Sequence, residues 1–405
     1  MTSFDSSPTL AAWRMLLALA VVFVLLATTG WTKVRHQPGS EDPHRAALAA
    51  WTHGSAGHRR LPDPSAPART IAAFFDAIGS ARGRRLADEH PLVVGNLNGA
   101  PVTLRYRANR LSLGRALDAE RHRLDGSGPR LSADGRRDAV RRAHRFASLM
   151  RPGRQILAFD PVGSGRTAEV LGDLKRARRV SVIVPGVDTN LLTFQKTHRK
   201  YSAPAGMASS LYAAERRASP HTPVAVIAWA DYTSPVGVGI DAAIGRLAES
   251  GAVRLVDMTA SLPGTSRVTL FCHSYGSVLC GVAAPRLPER VTDVAVAGSP
   301  GMRVDSAADL ATRARVWAMR DADDWIQNVP NLELGGVGHG ADPADPAFGA
   351  RLLSAAGADG HTGYFEPGTE SLDNFADIGV GAYQALTCAS ADSACRSGIS
   401  GGVDA

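Results

Sequence analysis

VTLFCHSYGSVLCG, Val268 to Gly281, decides the fold. Val268 to Phe271 is β-branched and apolar and suits a buried strand, while Ser277 to Ala284 is rich in small residues that let a helix pack closely on a sheet. Ser274 then sits on the turn between them. In a strand–nucleophile–helix elbow the turn is so tight that the positions two before and two after the serine must be small. Cys272 and Gly276 hold those positions. The usual pattern is G-x-S-x-G, so Cys272 is a departure: small, but with a β-carbon.

The surrounding sequence supplies a sheet for such an elbow. ILAFD and TAEVLGD, separated by GSG, read as a hairpin, and VSVIVPG, VAVIAWAD, VTDVAVAG and RVWAMRD are further strand candidates. Helical patterns such as ASSLYAAERRAS and GIDAAIGRLAESG fall between them. Alternating β and α elements imply an α/β fold with a mostly parallel sheet flanked by helices, whose ligands bind at the carboxyl ends of the strands. DPVGSGRT lacks the first glycine and the lysine of a phosphate loop and reads as a turn.

A serine hydroxyl becomes nucleophilic when an imidazole takes its proton, and the imidazole needs a carboxylate to hold its tautomer. The expected chain order is serine, acid, histidine. After Ser274, the strand-like RVWAM is followed by Asp321, Asp323 and Asp324, and later by His361 in GADGHTGYF. Asp324 is the first choice of acid, because Trp325 and Ile326 could anchor its loop under the sheet, with Asp323 second. His361 is chosen over His339, which lies in a Gly- and Asp-rich connecting stretch, and over His273, whose position next to the serine points its ring away. The backbone amide of Tyr275 and that of Val187, after Gly186 in VPGVDTN, are the expected oxyanion donors. No metal or cofactor motif accompanies them. The stretch Gly301 to Ala314 is read as a lid over the entrance.

The rest of the chain sets the context. Met15 to Trp31 is uncharged, follows Arg14 and is bracketed by Trp13 and Trp31, which directs the chain to a membrane. Its apolar core, Met15 to Ala27, has signal-peptide length, whereas the stretch from Trp13 to Trp31 is long enough for a membrane anchor. Both remain open, and in either case the chain is exported. An oxidising context then lets Cys388 and Cys395 pair, whereas Cys272 and Cys280 read equally well as small buried hydrophobes. The net charge of +7 comes largely from scattered arginines, with no basic aromatic helix and no finger pattern, so no nucleic-acid partner is expected. Residues 1–36 form the signal peptide or anchor, 37–69 a polar linker, 70–150 a helical N-terminal region, 151–386 the α/β domain and 387–405 a flexible tail.

PLVVGNLNGAPVTLRYRANR, ILAFDPVGSG, VPGVDTN, CHSYGS, the FGARLL run and GHTGYFEPGTESLDN resemble an actinobacterial α/β-hydrolase family known only as a domain of unknown function. The likeness runs from Ile71 to Tyr383. It implies an α/β-hydrolase fold with Ser274, an acid after the penultimate strand and His361 as the triad. The expected activity is that of a serine hydrolase on a small-molecule or lipid acyl ester or thioester, without a cofactor. The alternatives are an envelope acyltransferase and a non-catalytic binding scaffold.

Overall fold

The computed structural model describes residues 43–126, 131–389 and 393–399. The Met15 to Trp31 segment, and with it the choice between signal peptide and anchor, lies outside the described residues. Among the described residues no helix is long and apolar enough to cross a membrane.

The stretch read as a linker is structured from residue 43 on. Helix α1 (Pro43–Thr52) and a small hairpin pairing Ser55–Ala56 with Arg59–Arg60 occupy it. The cause is Trp51, which is fully buried and donates its indole N–H to the Pro62 carbonyl at 2.7 Å. It packs with α2 (Ala68–Glu89), which kinks at Gly79, α3 (Pro91–Asn96) and α4 (Val102–Leu124) around a small apolar core. Helix α5 (Ala133–Leu149) follows, capped by the Ser132 hydroxyl.

The main sheet has eight strands: β1 (Gln155–Asp160), β2 (Arg166–Gly172), β3 (Arg179–Val184), β4 (Val224–Ala230), β5 (Arg267–His273), β6 (Val291–Ala297), β7 (Arg315–Met319) and β8 (Arg351–Leu352). Their spatial order is 8-7-6-5-3-4-2-1, and only β2 runs antiparallel to its neighbours. Every other pairing is parallel. The helical N-terminal region closes the β1 edge. Asn96 accepts from the Phe159 amide and donates to the Phe159 carbonyl, and Asn109 donates to the Ile156 carbonyl, so side-chain amides take up the hydrogen bonds of a missing strand.

Side chains alternate across the central strands. Val180, Val182 and Val184 of β3 face one core, shared with Leu255 and Leu279, whereas Ile183 faces another that includes Leu211 and Phe375. Helices α6 (Pro204–Ala218) and α10 (Glu370–Val380) cover the second face, with α7 (Ile240–Ala243), α8 (Arg246–Ala260) and α9 (Tyr275–Ala283) lying between them in the chain; α8 and α9 cover the first. The segment read as a lid is a packed wall instead. Met302 and Leu310 are buried, and the Arg303 and Ala307 amides donate to the His339 and Phe348 carbonyls at 2.6 and 2.7 Å. The tail is also docked as far as it is described. Cys388 and Cys395 are disulfide-bonded, and Arg351 of β8 donates to the Cys395 and Ser397 carbonyls at 2.8 Å each. A two-residue edge strand gains its footing from these contacts.

Between β3 and α6 lies one uncompensated polar group. Glu215 is fully buried, accepts a hydrogen bond from Ser181 through Oε1, and has no partner at Oε2. Burial pushes its carboxyl up to about 8, offset in part by the Ser181 hydroxyl. An unfolded glutamate titrates near 4.3, so folding takes up a proton in the window between that value and about 8. The stabilisation is complete below the unfolded value and is lost as pH rises through the window, at up to about 1.4 kcal/mol per pH unit. Glu215→Gln removes this proton uptake. Urea unfolding at pH 5 and pH 8 is therefore expected to show the variant gaining on the wild type at the higher pH, and parallel pH dependence of the two proteins would refute the assignment.

Candidate active site

The local backbone follows from where small residues stand. Ser274 follows β5 and precedes α9 with φ 54° and ψ −129°, a left-handed conformation rare for a residue bearing a β-carbon. The turn closes only because its neighbours lack bulk. A Cβ on Gly276 would fall 2.1 Å from the Val184 carbonyl oxygen, and one on Gly186 would fall 2.6 Å from Ser274 Cβ. Cys272 is tolerated at the third small position because its side chain points away from this crowding, into the core that β5 shares with α9. There it bonds to Cys280. Of the two open readings of these cysteines, bridge or small buried hydrophobes, the structure shows the bridge: the elbow brings their Cα atoms to 6.5 Å, within disulfide reach, from positions eight apart in sequence.

The hydroxyl produced by this turn meets an imidazole. His361 Nε2 lies 2.9 Å from Ser274 Oγ, and its Nδ1 lies 2.8 and 3.0 Å from the two Asp324 carboxylate oxygens. Tyr364 donates its hydroxyl to Asp324 Oδ2 at 2.6 Å, and the Ile326 amide donates to Oδ1 at 2.9 Å. Asp324 is completely buried. Burial pushes its carboxyl up, but the hydrogen bonds from His361, Tyr364 and Ile326 outweigh that and hold it below the usual carboxylate range.

The other sequence candidates lie elsewhere or do other work. Asp323 is exposed, and Asp321 Oδ2 accepts from the Gly360 amide at 2.9 Å, tying the histidine segment to the acid loop. His339 is buried against the Tyr275 ring and engages the Ala242 carbonyl at 2.7 Å, away from the serine. His273 turns away from the hydroxyl, and its Nε2 stands 2.6 Å from the His361 backbone carbonyl. Burial, with the His361 charge as a smaller contribution, pushes the His273 ring down to about 3, so it is neutral and donates to that carbonyl. Of the two residues expected to anchor the acid loop, Ile326 is buried. Trp325 is not: it is 45% exposed and lies against His361 with ring centroids 4.7 Å apart.

Tyr275 opens α9, so its amide has no carbonyl four residues back within the helix to receive it. The Val187 amide follows Gly186, whose backbone lies against Ser274. The Tyr232 hydroxyl fixes that loop by donating to the Pro185 carbonyl at 2.6 Å. Sequence reasoning passed over Tyr364 and Gly298. At φ 56°, a Cβ on Gly298 would stand 2.8 Å from Asp324 Oδ2 and 3.1 Å from His361 Nδ1. The glycine that follows the β6 run was the available signal.

A family model described as an α/β hydrolase matches residues 160–334. Two Mycobacterium tuberculosis proteins, the uncharacterized proteins MT2140 of strain CDC 1551 and Rv2079 of strain H37Rv, are each 28% identical over 388 residues. The match covers 81% of this chain, which spans 58% of the length of these curated relatives. Among solved structures, a dienelactone hydrolase from Anabaena variabilis is 18% identical over 44% of this chain and 78% of that one, with a TM-score of 0.29. An α/β serine hydrolase without lid from Xanthomonas campestris is 18% identical over 44% and 74%, with a TM-score of 0.27. The strand order and directions, with the family match, give this chain an α/β-hydrolase fold.

The close approach at Gly276 makes it the most sensitive position of the elbow. Gly276→Ala must push α9 off the end of β3, and denaturant unfolding is expected to show a loss of at least about 2 kcal/mol. Wild-type stability in this variant would mean that the elbow is looser than described.

Proposed function

We propose that the chain is an exported serine hydrolase that cleaves carboxylic ester or thioester bonds through an acyl-enzyme on Ser274. The observation that carries this reading is the unbroken hydrogen-bond chain from Tyr364 through Asp324 and His361 to Ser274 Oγ. As Ser274 Oγ bonds to the acyl carbon, His361 Nε2 takes its proton and the carbonyl electron pair moves onto oxygen. The Tyr275 and Val187 amides receive that oxyanion, and Asp324 stabilises the imidazolium. Collapse of the intermediate breaks the ester bond, and the leaving alcohol or thiol takes the proton from His361. Water then repeats the sequence against the acyl-enzyme, releases the acid and restores the serine. The exposed face of Trp325 beside His361 offers an apolar surface to the departing or entering group. Two disulfides and the uncharged Met15 to Trp31 stretch support export.

Labelling by a fluorophosphonate and turnover of p-nitrophenyl esters from acetate to palmitate test the reading. Ser274→Ala is expected to lose both, keeping at most the residual catalysis of binding and the oxyanion donors. If folded wild-type protein neither turns over any ester nor forms an adduct on Ser274, the chain is a binding scaffold.

The acid assignment has its own test. Asp324→Asn is expected to keep the fold and lower kcat by about 10⁴, because an amide stabilises the wrong imidazole tautomer. Tyr364→Phe leaves the carboxylate in place and removes one of its donors, and about a tenfold fall in kcat with KM unchanged is expected. Full activity in Asp324→Asn combined with an inactive Asp323→Asn would move the acid to the exposed neighbour.

A further inference from the structure

At the edge of the sheet opposite Ser274 lies a cleft of about 600 Å³. It is walled by the start of β3, the start of β5, the turns after β2 and α8, and the C-terminal ends of α6 and α10. Lys175, Arg176, Arg178, Arg179 and Arg267 line it, with the hydroxyls of Ser219, Thr222, Thr265 and Ser266, and among the described residues no aspartate or glutamate lines it. The register that pairs Arg179 with Arg267 sets two of the cations side by side on neighbouring strands.

Among the described residues, Lys175, Arg176, Arg178 and Arg179 form no ion pair. Arg179 is half-buried, packs against Gly381 so closely that a Cβ there would meet Nη2 at 2.3 Å, and leaves a buried Nη1 without a hydrogen-bond partner. A guanidinium nitrogen stripped of water and given no acceptor is destabilising unless something else supplies one. The adjacent Arg290 shows the contrast. It donates to the carbonyls of Leu262, Gly264 and Ser266 and so holds a turn together.

The helix ends do not account for the excess. Each contributes about half a negative charge at its carbonyl terminus, so the ends of α6 and α10 offset about one of the four positive charges of Lys175, Arg176, Arg178 and Arg179. We infer that this cleft is a binding site for a phosphoryl group, carried by a soluble phosphate ester or by a phospholipid headgroup. Arginine forks match phosphoryl oxygens two at a time, and the hydroxyls complete the coordination. The site is separate from the proposed chemistry. Arg179 and Val184 are the two ends of β3, and Val184 pairs with Cys272 just before the elbow, which puts the cleft roughly 20 Å from Ser274 at the rise of a parallel strand.

Calorimetric titration of the full-length protein with pyrophosphate at low ionic strength tests the soluble form, and flotation with phosphatidylglycerol vesicles, against phosphatidylcholine controls, tests the headgroup. Saturable binding in at least one arm is expected, for pyrophosphate with a Kd below about 1 mM. Replacing Arg178 and Arg179 together by Gln should weaken it at least about tenfold, the loss of a charge-assisted contact. Lys175→Gln with Arg176→Gln, both exposed, should weaken it without touching the buried nitrogen, which covers the case in which the first pair perturbs folding. Arg84→Gln with Arg85→Gln removes the same charge from the exposed face of α2 and should leave binding unchanged. Which arm responds identifies the source of the phosphoryl group. Failure of both arms, or equal weakening in the α2 control, would overturn the site.

Discussion

Ser274 reverses the chain in a single residue, and that conformation at a side chain with a β-carbon costs about 1 to 3 kcal/mol and persists only because its surroundings enforce it. The enforcement is visible on every side. β5 is hydrogen-bonded along its length to β3 and β6, and the Ser274 amide itself donates to the Ala297 carbonyl at 3.0 Å. Ser277 hooks its hydroxyl back onto the Ser274 carbonyl. The Cys272–Cys280 bridge joins the strand to the helix across the turn. Each contact demands the next: the turn needs close packing at Gly276 and Gly186, close packing needs the carbonyl of Val184 at one position, and that position is fixed by the central parallel register.

Once the hydroxyl is fixed, the imidazole must be held as tightly, and the protein holds it from its backbone as well as its ring. Asp324 orients Nδ1, while the His273 ring grips the His361 carbonyl and Asp321 grips the amide of Gly360 just before it. The neutrality of His273 matters here. A charged ring 5.0 Å from His361 would oppose the imidazolium of the proposed mechanism, and burial removes that opposition. Burial thus disfavours a second charge at the place where one must appear.

The strands were legible because parallel strands covered on both faces are almost continuously apolar, as VSVIV and VAVIAWA are. The elbow was legible because its small residues are contiguous in sequence. What failed depends on contacts between distant segments. Nothing in CHSYGSVLC shows that one turn of helix swings Cys280 back over Cys272. Trp325 reads as an anchor by composition, yet the room under the sheet is taken by Ile326 and Tyr364. In the same way the polar, Pro- and Gly-dotted stretch after residue 42 hides a helix that one tryptophan pins, and the support given by Tyr364 depends on a fold-over from forty residues away. The candidate triad itself was readable because chain order is a property of topology.

A parallel sheet has two unlike edges, and the chain uses both. Helix α9 starts at the carboxyl edge, so its free amide and positive pole face the place where the proposed oxyanion develops. Helices α6 and α10 end at the other edge, where carbonyl poles accumulate and cations collect around them. Helix α10 reaches both: the histidine segment runs into its start, and Val380 at its end lines the basic cleft. Its buried face between these points places Leu372, Phe375 and Ile378 in the core, with Phe375 set against Phe271 of β5 at 5.0 Å, and carries two buried polar residues, Ser371 and Asn374, which donate to the Tyr364, Ser354 and Thr387 carbonyls. Charge in the cleft stands roughly 20 Å from the serine, a distance at which the direct Coulomb interaction is about 1 kcal/mol or less per unit charge at an effective dielectric of about 20. Direct coupling between the two ends is thus weak, so one strand direction can carry the proposed chemistry at one end and the proposed anion recognition at the other.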